Sequence, residues 1–328
     1  MKNKSLGLYN IIDEEGINKS INNVLNSDIN FNTYTSPKGI KELRIEISNL
    51  LKNIWNYQIN YKNMLITTGS QQSINIIAYS LLNEGDTILI EQPTYFGAIK
   101  VFKNRKINLV GLNLTENGID LKELEDKIIK YKPKLIYVTP TFNNPTGYSW
   151  SNSYRKEFLK IINKYNTLVL EDDPYSLINY TNIKYKSLYE LNNEKNIIYL
   201  GTFSKYITPS INIGYILSND TLLKLLYSFK ESFDLCTSLF NQYVILDYIK
   251  NNDLNKIIKN KILYYKKNLK NTVNYLNKNE NVIFYSKIKG GLFMHVKLKN
   301  KLDIFENGNN YYIDDNHENE TRINICSN

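Results

Sequence analysis

Leu135-Ile136-Tyr137-Val138-Thr139, a helical stretch over 154–163, and Thr167-Leu168-Val169-Leu170-Glu171 make one repeating unit of this chain. Two short β-branched runs flank a segment whose apolar residues recur at helical spacing. That is the pattern of strand, crossover helix and parallel strand. The alternation continues in both directions. Strands are expected over Met64–Thr67, 87–91, 107–111, 197–201 and 211–216, with helices over 71–82 and Leu121–Tyr131. Ile40, Leu43, Ile47 and Leu50 mark a further helix after Gly39. Strands alternating with helices predict an α/β fold, a largely parallel sheet covered on both faces. From Leu222 to Asn277 the pattern is almost purely helical. A strand-rich tail follows over Val282–Tyr285, 292–298 and 323–326. The expected organisation is an N-terminal segment over 1–45, a large domain over 46–245, and a connecting helix with a small α/β domain over 246–328.

Composition narrows the function classes. The 328 residues are 42% hydrophobic and 22% charged, enough for a sizeable core and incompatible with wholesale disorder. No apolar run approaches the roughly 18–20 residues that cross a bilayer, and the basic start has no signal-peptide core, so no membrane partner is expected. Two cysteines, Cys236 and Cys326, give no disulfide framework and suggest a reducing, cytoplasmic setting. Two histidines argue against a His-rich metal site. The net charge of +9 invites a nucleic-acid reading. However, only four residues are arginine, the lysines are scattered, and the densest stretch, 256–270, interleaves them with Ile257, Ile258, Ile262, Leu263 and Leu269. A solvated face of an amphipathic helix explains that stretch better than a phosphate-binding stripe, and no nucleic-acid partner is expected.

Open α/β sheets place their sites at the carboxyl ends of strands. Four such ends carry chemistry. Thr68-Gly69-Ser70-Gln71-Gln72 opens a helix where free N–H groups suit a phosphate. Thr139-Pro140-Thr141-Phe142-Asn143-Asn144-Pro145-Thr146-Gly147 follows a second strand, and Glu171-Asp172-Asp173-Pro174-Tyr175 puts carboxylates at the end of a third. A carboxylate there is costly unless a cation or donor meets it. Thr202-Phe203-Ser204-Lys205 brings one lysine where the others converge.

In this order and spacing the fragments resemble the fold-type I pyridoxal-phosphate enzymes, specifically class I/II aminotransferases. The branch they are most similar to holds the 2-aminoadipate/kynurenine aminotransferases and the aminotransferase domain of MocR-type regulators. Tyr34, Gly39, Leu43-Arg44, Gly85-Asp86, Glu91-Gln92-Pro93-Thr94-Tyr95, Asn144-Pro145-Thr146-Gly147, Gly290-Gly291 and Arg322 complete the likeness, which runs from Tyr34 to Ser327. It implies pyridoxal 5′-phosphate as cofactor, an amino acid and a 2-oxo acid as substrates, and a homodimer. Lys205 would hold the cofactor as a Schiff base and move protons. Asp172, set apart from Asp173 by its spacing to Tyr175, would face the pyridinium nitrogen. Tyr175 and Asn144 would reach the phenolic oxygen, Asn144 also lying beside the substrate, and Tyr95 would stack on the ring. Gly69, Ser70, Gln71, Thr202 and Ser204 would cradle the phosphate, joined by Tyr34 from the neighbouring subunit. Arg322 would take the substrate α-carboxylate, as a planar fork suits.

Three departures accompany the resemblance. The family's run Pro-Gly-Leu-Arg-hydrophobic-Gly reads Pro209-Ser210-Ile211-Asn212-Ile213-Gly214 here. Asn212 thus replaces a phosphate-binding arginine, a loss of roughly 1.5–3 kcal/mol for one charge-assisted contact. The N-terminal arm lacks the family's Gly-Gly-x-Pro segment. The small domain is expected to be pared down, missing one helix between Leu298 and Asn307 and a closing helix after Arg322. Lyase, decarboxylase or cyclase chemistry on the same cofactor, and a non-catalytic ligand-sensing role, remain the alternatives to amino transfer.

Overall fold

The computed structural model describes residues 12–193, 195–301 and 306–326. Residues 1–11 of the expected N-terminal segment, and Ser327 at the end of the resemblance, lie outside them. The described residues begin with helices α1 (Glu14–Leu25) and α2 (Lys41–Trp55). Strand β1 (Met64–Thr67), helix α3 (Gly69–Leu81), strand β2 (Thr87–Gln92) and helix α4 (Phe96–Asn104) follow. Next come β3 (Asn108–Thr115), β4 (Gly118–Ile119), α5 (Leu121–Tyr131), β5 (Leu135–Val138), α6 (Asn152–Tyr165) and β6 (Val169–Asp172). Helix α7 (Leu188–Leu191), β7 (Ile197–Thr202) and β8 (Gly214–Leu217) complete a sheet of order β1-β8-β7-β6-β5-β2-β3-β4. Pairing is parallel across β3-β2-β5-β6-β7 and antiparallel at β8 and β4.

Strand parity builds both core layers. Leu89, Ile136, Val138, Val169 and Ile197 point to one side, where Leu43, Ile47, Phe158 and Ile162 pack. Ile88, Ile90, Leu135, Leu170 and Ile198 point to the other, against Ile74, Ile77, Phe102 and Leu226. Continuous apolar strands therefore report a sheet buried on both faces. Helices α8 (Asp220–Asp234), α9 (Leu239–Asn251) and α10 (Leu254–Lys278) lead to the small antiparallel sheet of β9 (Val282–Tyr285), β10 (Phe293–Leu298) and β11 (Glu320–Asn324), in order β11-β10-β9.

Two element boundaries correct the sequence reading. The strand expected over 211–216 begins only at Gly214, because Asn212 takes a left-handed φ of 52°. That turn lets β8 press on the start of α3: a Cβ on Gly214 would stand 2.8 Å from the carbonyl carbon of Gly69. The last strand covers Glu320–Asn324 rather than 323–326, so Arg322 lies inside a strand, paired with His295 of β10.

Arg155 of α6 fixes the long connection after β5. It is fully buried and donates to the carbonyls of Trp150 (3.1 Å), Lys186 (2.8 Å) and Pro140 (2.7 Å) and to Thr141 Oγ1 (2.9 Å). The carboxylate of Glu171 lies 3.9 Å away. Arg155→Ala strands these acceptors and a buried acid, so it is expected to lower stability by about 3–5 kcal/mol in urea unfolding.

Candidate active site

One cavity of about 430 Å³ opens at the carboxyl ends of β5, β6 and β7. Ser70, Gln71, Tyr95, Asn144, Asp172, Tyr175, Thr202, Ser204, Lys205, Asn212 and Arg322 all line it. Eleven of the thirteen residues singled out from the sequence thus meet in one space. Gly69 stands just behind them, with φ of 71° and no room for a Cβ, which would fall 2.3 Å from Asn212 Oδ1. Tyr34 is not brought there. It is 80% exposed and belongs to a separate surface hollow with Ile29, Ile40, Leu239 and Tyr243.

Asp172 ends β6 in a fully buried position. Its Oδ2 accepts from Tyr137 Oη at 2.7 Å, while Oδ1 has no partner among the described residues. Burial pushes its carboxyl up to about 7, with the Tyr137 bond pulling the other way. An acid held this far from water with one oxygen unmet calls for a donor from outside the chain. Asp173, its neighbour, is satisfied internally by Ser176 N (3.0 Å) and Tyr199 Oη (3.0 Å). Of the scaffold acids, Glu171 accepts on both oxygens, from Leu188 N and Tyr189 N, and Glu91 accepts through Oε2 alone, from Thr139 and Asn143; neither lines the cavity, as Asp172 does.

The Lys205 ammonium is disfavoured by burial first and by Arg322 second, which brings it down to about 8. Tyr95 caps α4 and donates to Gln71 Oε1 at 2.9 Å; burial beside Asp172 pushes its hydroxyl up to about 12. Across the cavity, α3 presents its first-turn N–H groups, which have no intrahelical acceptor, and Thr202 and Ser204 add hydroxyls 3.2 Å apart. Asn143 and Asn144 divide the labour of their loop. Asn143 ties it to Glu91 at 3.2 Å, whereas Asn144 Oδ1 accepts from Arg322 Nη1 at 3.0 Å.

Sequence reading missed Tyr137, Phe96, Phe293, Glu306 and Tyr311. Tyr137 left a usable signal, since a tyrosine inside a buried strand needs a partner for its hydroxyl. The guanidinium of Arg322 lies 4.0 Å over Phe293, 5.2 Å from Tyr311 and 6.0 Å from Phe96.

Comparison with known proteins assigns the chain to a family. The aminotransferase class I and II family model matches residues 10–325. The chain belongs to that family. It is 30% identical to aromatic-amino-acid aminotransferase 1 of Thermococcus litoralis over 276 residues, 82% of this chain and 66% of that protein. Kynurenine aminotransferase of Pyrococcus horikoshii, solved with PMP, shares 28% identity and a TM-score of 0.89 over 96% of this chain and 83% of its own. The α-aminoadipate aminotransferase LysN of Thermus thermophilus, solved with N-(5′-phosphopyridoxyl)-L-leucine, shares 25% identity and a TM-score of 0.89 over 96% and 84%. The fold is the fold-type I architecture and the cofactor is pyridoxal 5′-phosphate. Three features of the site fit it: the unmet oxygen of Asp172, the buried amine of Lys205, and the helix start behind Gly69.

A titration follows from the burial of Lys205. Its amine becomes neutral above about pH 8 in the cofactor-free protein, instead of near the ordinary 10.5. Competitive acylation is expected to show Lys205 reactivity levelling off above pH 8 while surface lysines are still gaining. Because the unfolded chain keeps that proton up to 10.5, the group's contribution to stability rises with pH between about 8 and 10.5.

Proposed function

We propose that this aminotransferase moves the amino group of an apolar or aromatic amino acid to a 2-oxo acid. The observation that carries the reading is the convergence of the Lys205 amine, the unmet oxygen of Asp172 and the Arg322 guanidinium on one cavity. When bound, the cofactor supplies an aldehyde for amines and a ring that withdraws electrons from Cα. The side chains divide the rest. Asp172 Oδ1 would accept from the ring nitrogen. Gly69, Ser70, Gln71, Thr202 and Ser204 would hold the phosphate, with Asn212 adding an amide where the family has an arginine. Asn144 and Tyr175 would donate toward the phenolic oxygen, and Tyr95 would serve the ring face.

Arg322 receives the α-carboxylate and so aims Cα at Lys205. In its neutral form Lys205 takes the proton from Cα and returns it. The remaining lining is apolar, Phe96, Phe142, Pro174, Pro209 and Phe293, apart from Thr139, whose hydroxyl donates to Glu91. An uncharged substrate side chain fits that wall, since a charge there would be desolvated without a partner.

The dimer belongs to the same reading. Tyr34 points into solvent, and Phe31, 42% exposed, stands beside Phe240. A second copy covering this surface would carry Tyr34 toward the partner's phosphate site. Sedimentation is expected to show a dimer, and a monomer that retains cofactor would remove Tyr34 from the site. Cys236 and Cys326 are both thiols, which suits a reducing, cytoplasmic setting. No helix among the described residues is long and apolar enough to cross a membrane.

Borohydride treatment of the cofactor-loaded protein is expected to fix the label on Lys205 alone. Phenylalanine, tyrosine and leucine should then outperform aspartate and lysine as amino donors to a 2-oxo acid. Arg322→Lys keeps the charge but loses the fork, so KM for these donors should rise about tenfold or more. Release of the amino group as ammonia, in place of its transfer, would overturn the reading.

A further inference from the structure

Arg322 already carries a carboxylate. Its Nη2 lies 3.0 Å from Glu306 Oε2 and 3.3 Å from Oε1, and the Tyr311 hydroxyl donates to the same Oε2. Asn144 holds Nη1. The Arg322 side chain is 2% exposed and that of Glu306 is 22% exposed. From these contacts we propose that Glu306 is a specificity-determining residue, an internal competitor that occupies the seat of the substrate's carboxylate on Arg322. The inference rests on the assignment of Arg322 as carboxylate anchor made above.

The chemistry is symmetrical. A glutamate carboxylate and an amino-acid carboxylate make the same charge-assisted hydrogen bonds to a guanidinium. Two such anions cannot share one buried donor without strong like-charge repulsion. Ligand binding is therefore an exchange. Glu306 has an open side toward water through which its carboxylate can leave, whereas Arg322 has none. Its departure also releases the hydroxyl of Tyr311, a buried residue whose ring lies against the guanidinium, as a second donor for the incoming group. In the empty state the pair spares a buried cation the cost of standing alone.

The exchange has a consequence for selectivity. Every carboxylate ligand must displace Glu306, and an amine without a carboxylate need not. Glu306 thus weakens amino-acid binding relative to the matching decarboxylated amine, and it does so through affinity, leaving the proton transfer at Cα untouched.

The test is calorimetric titration of the cofactor-loaded protein with 3-phenylpropionate, a carboxylate that has no amine to react. Wild type, Glu306→Gln, Glu306→Ala and Arg322→Lys are compared. Either Glu306 variant is expected to bind the probe about tenfold tighter, the factor carried by one ordinary charge-assisted hydrogen bond. Binding of 2-phenylethylamine should stay level. Weaker or unchanged 3-phenylpropionate binding in both Glu306 variants would overturn the proposal and would make Glu306 a prop for Arg322 instead. The anchor assignment is read separately. If Arg322→Lys binds the probe as wild type does, that assignment fails, whatever the Glu306 variants do.

Discussion

Desolvation of charge at the carboxyl ends of the central parallel strands is the constraint around which this molecule is arranged. Asp172 and Arg322 are buried, and half-buried Lys205 brings its amine into the same cavity. Each move is unfavourable alone, by several kcal/mol for an unpaired ion. The neighbouring side chains are there to offset it. Tyr137 meets one oxygen of Asp172, Asn144 and Glu306 meet the fork of Arg322, and Asp172 opposes the loss of charge on Lys205. What is left over, one oxygen on Asp172 and a lysine close to neutrality, is what an electron-withdrawing aldehyde cofactor needs. Reactivity here lies in the polar group that faces the cavity and finds no donor in the chain itself.

The same constraint joins the two sheets. Asn144 and Arg322 are 178 positions apart, yet one 3.0 Å bond links the loop after β5 to strand β11. Backbone bonds from Tyr180 to Lys289 and from Gly291 to Ile178 run alongside it. Gly290 and Gly291 make that approach possible: a Cβ on either would stand 2.2 or 2.8 Å from Phe142 side-chain carbons. The small sheet is therefore pressed directly onto the loop that carries Asn144. Substrate binding and the seating of the two sheets depend on the same few side chains.

Much of the site was legible because its residues sit at strand ends, where chain order and sheet chemistry coincide. Asp172, Lys205, Asn144 and the turn at Gly69 each follow a run that reads as a buried strand. Tyr137 was hidden because it lies within a strand, where a tyrosine also reads as ordinary core. Its role emerges only from the neighbouring strand, which sets its hydroxyl against Asp172. Asn212 was read as part of a strand; its left-handed φ accompanies the close approach of Gly214 to the start of α3, a contact between distant segments.

The sequence by itself determined the α/β class, the near-parallel sheet and the family, because these depend on local periodicity and on short motifs that survive without tertiary context. Tertiary structure alone decided which charges are paired. Glu306 belongs to no motif, and no spacing relates it to Arg322, sixteen residues away on the far side of a turn. Hydrogen bonds and ion pairs act over about 3 Å, while sequence patterns record only which residues face inward. Whether the arginine that awaits a carboxylate already holds one is a question of distance, and distance is set by the fold.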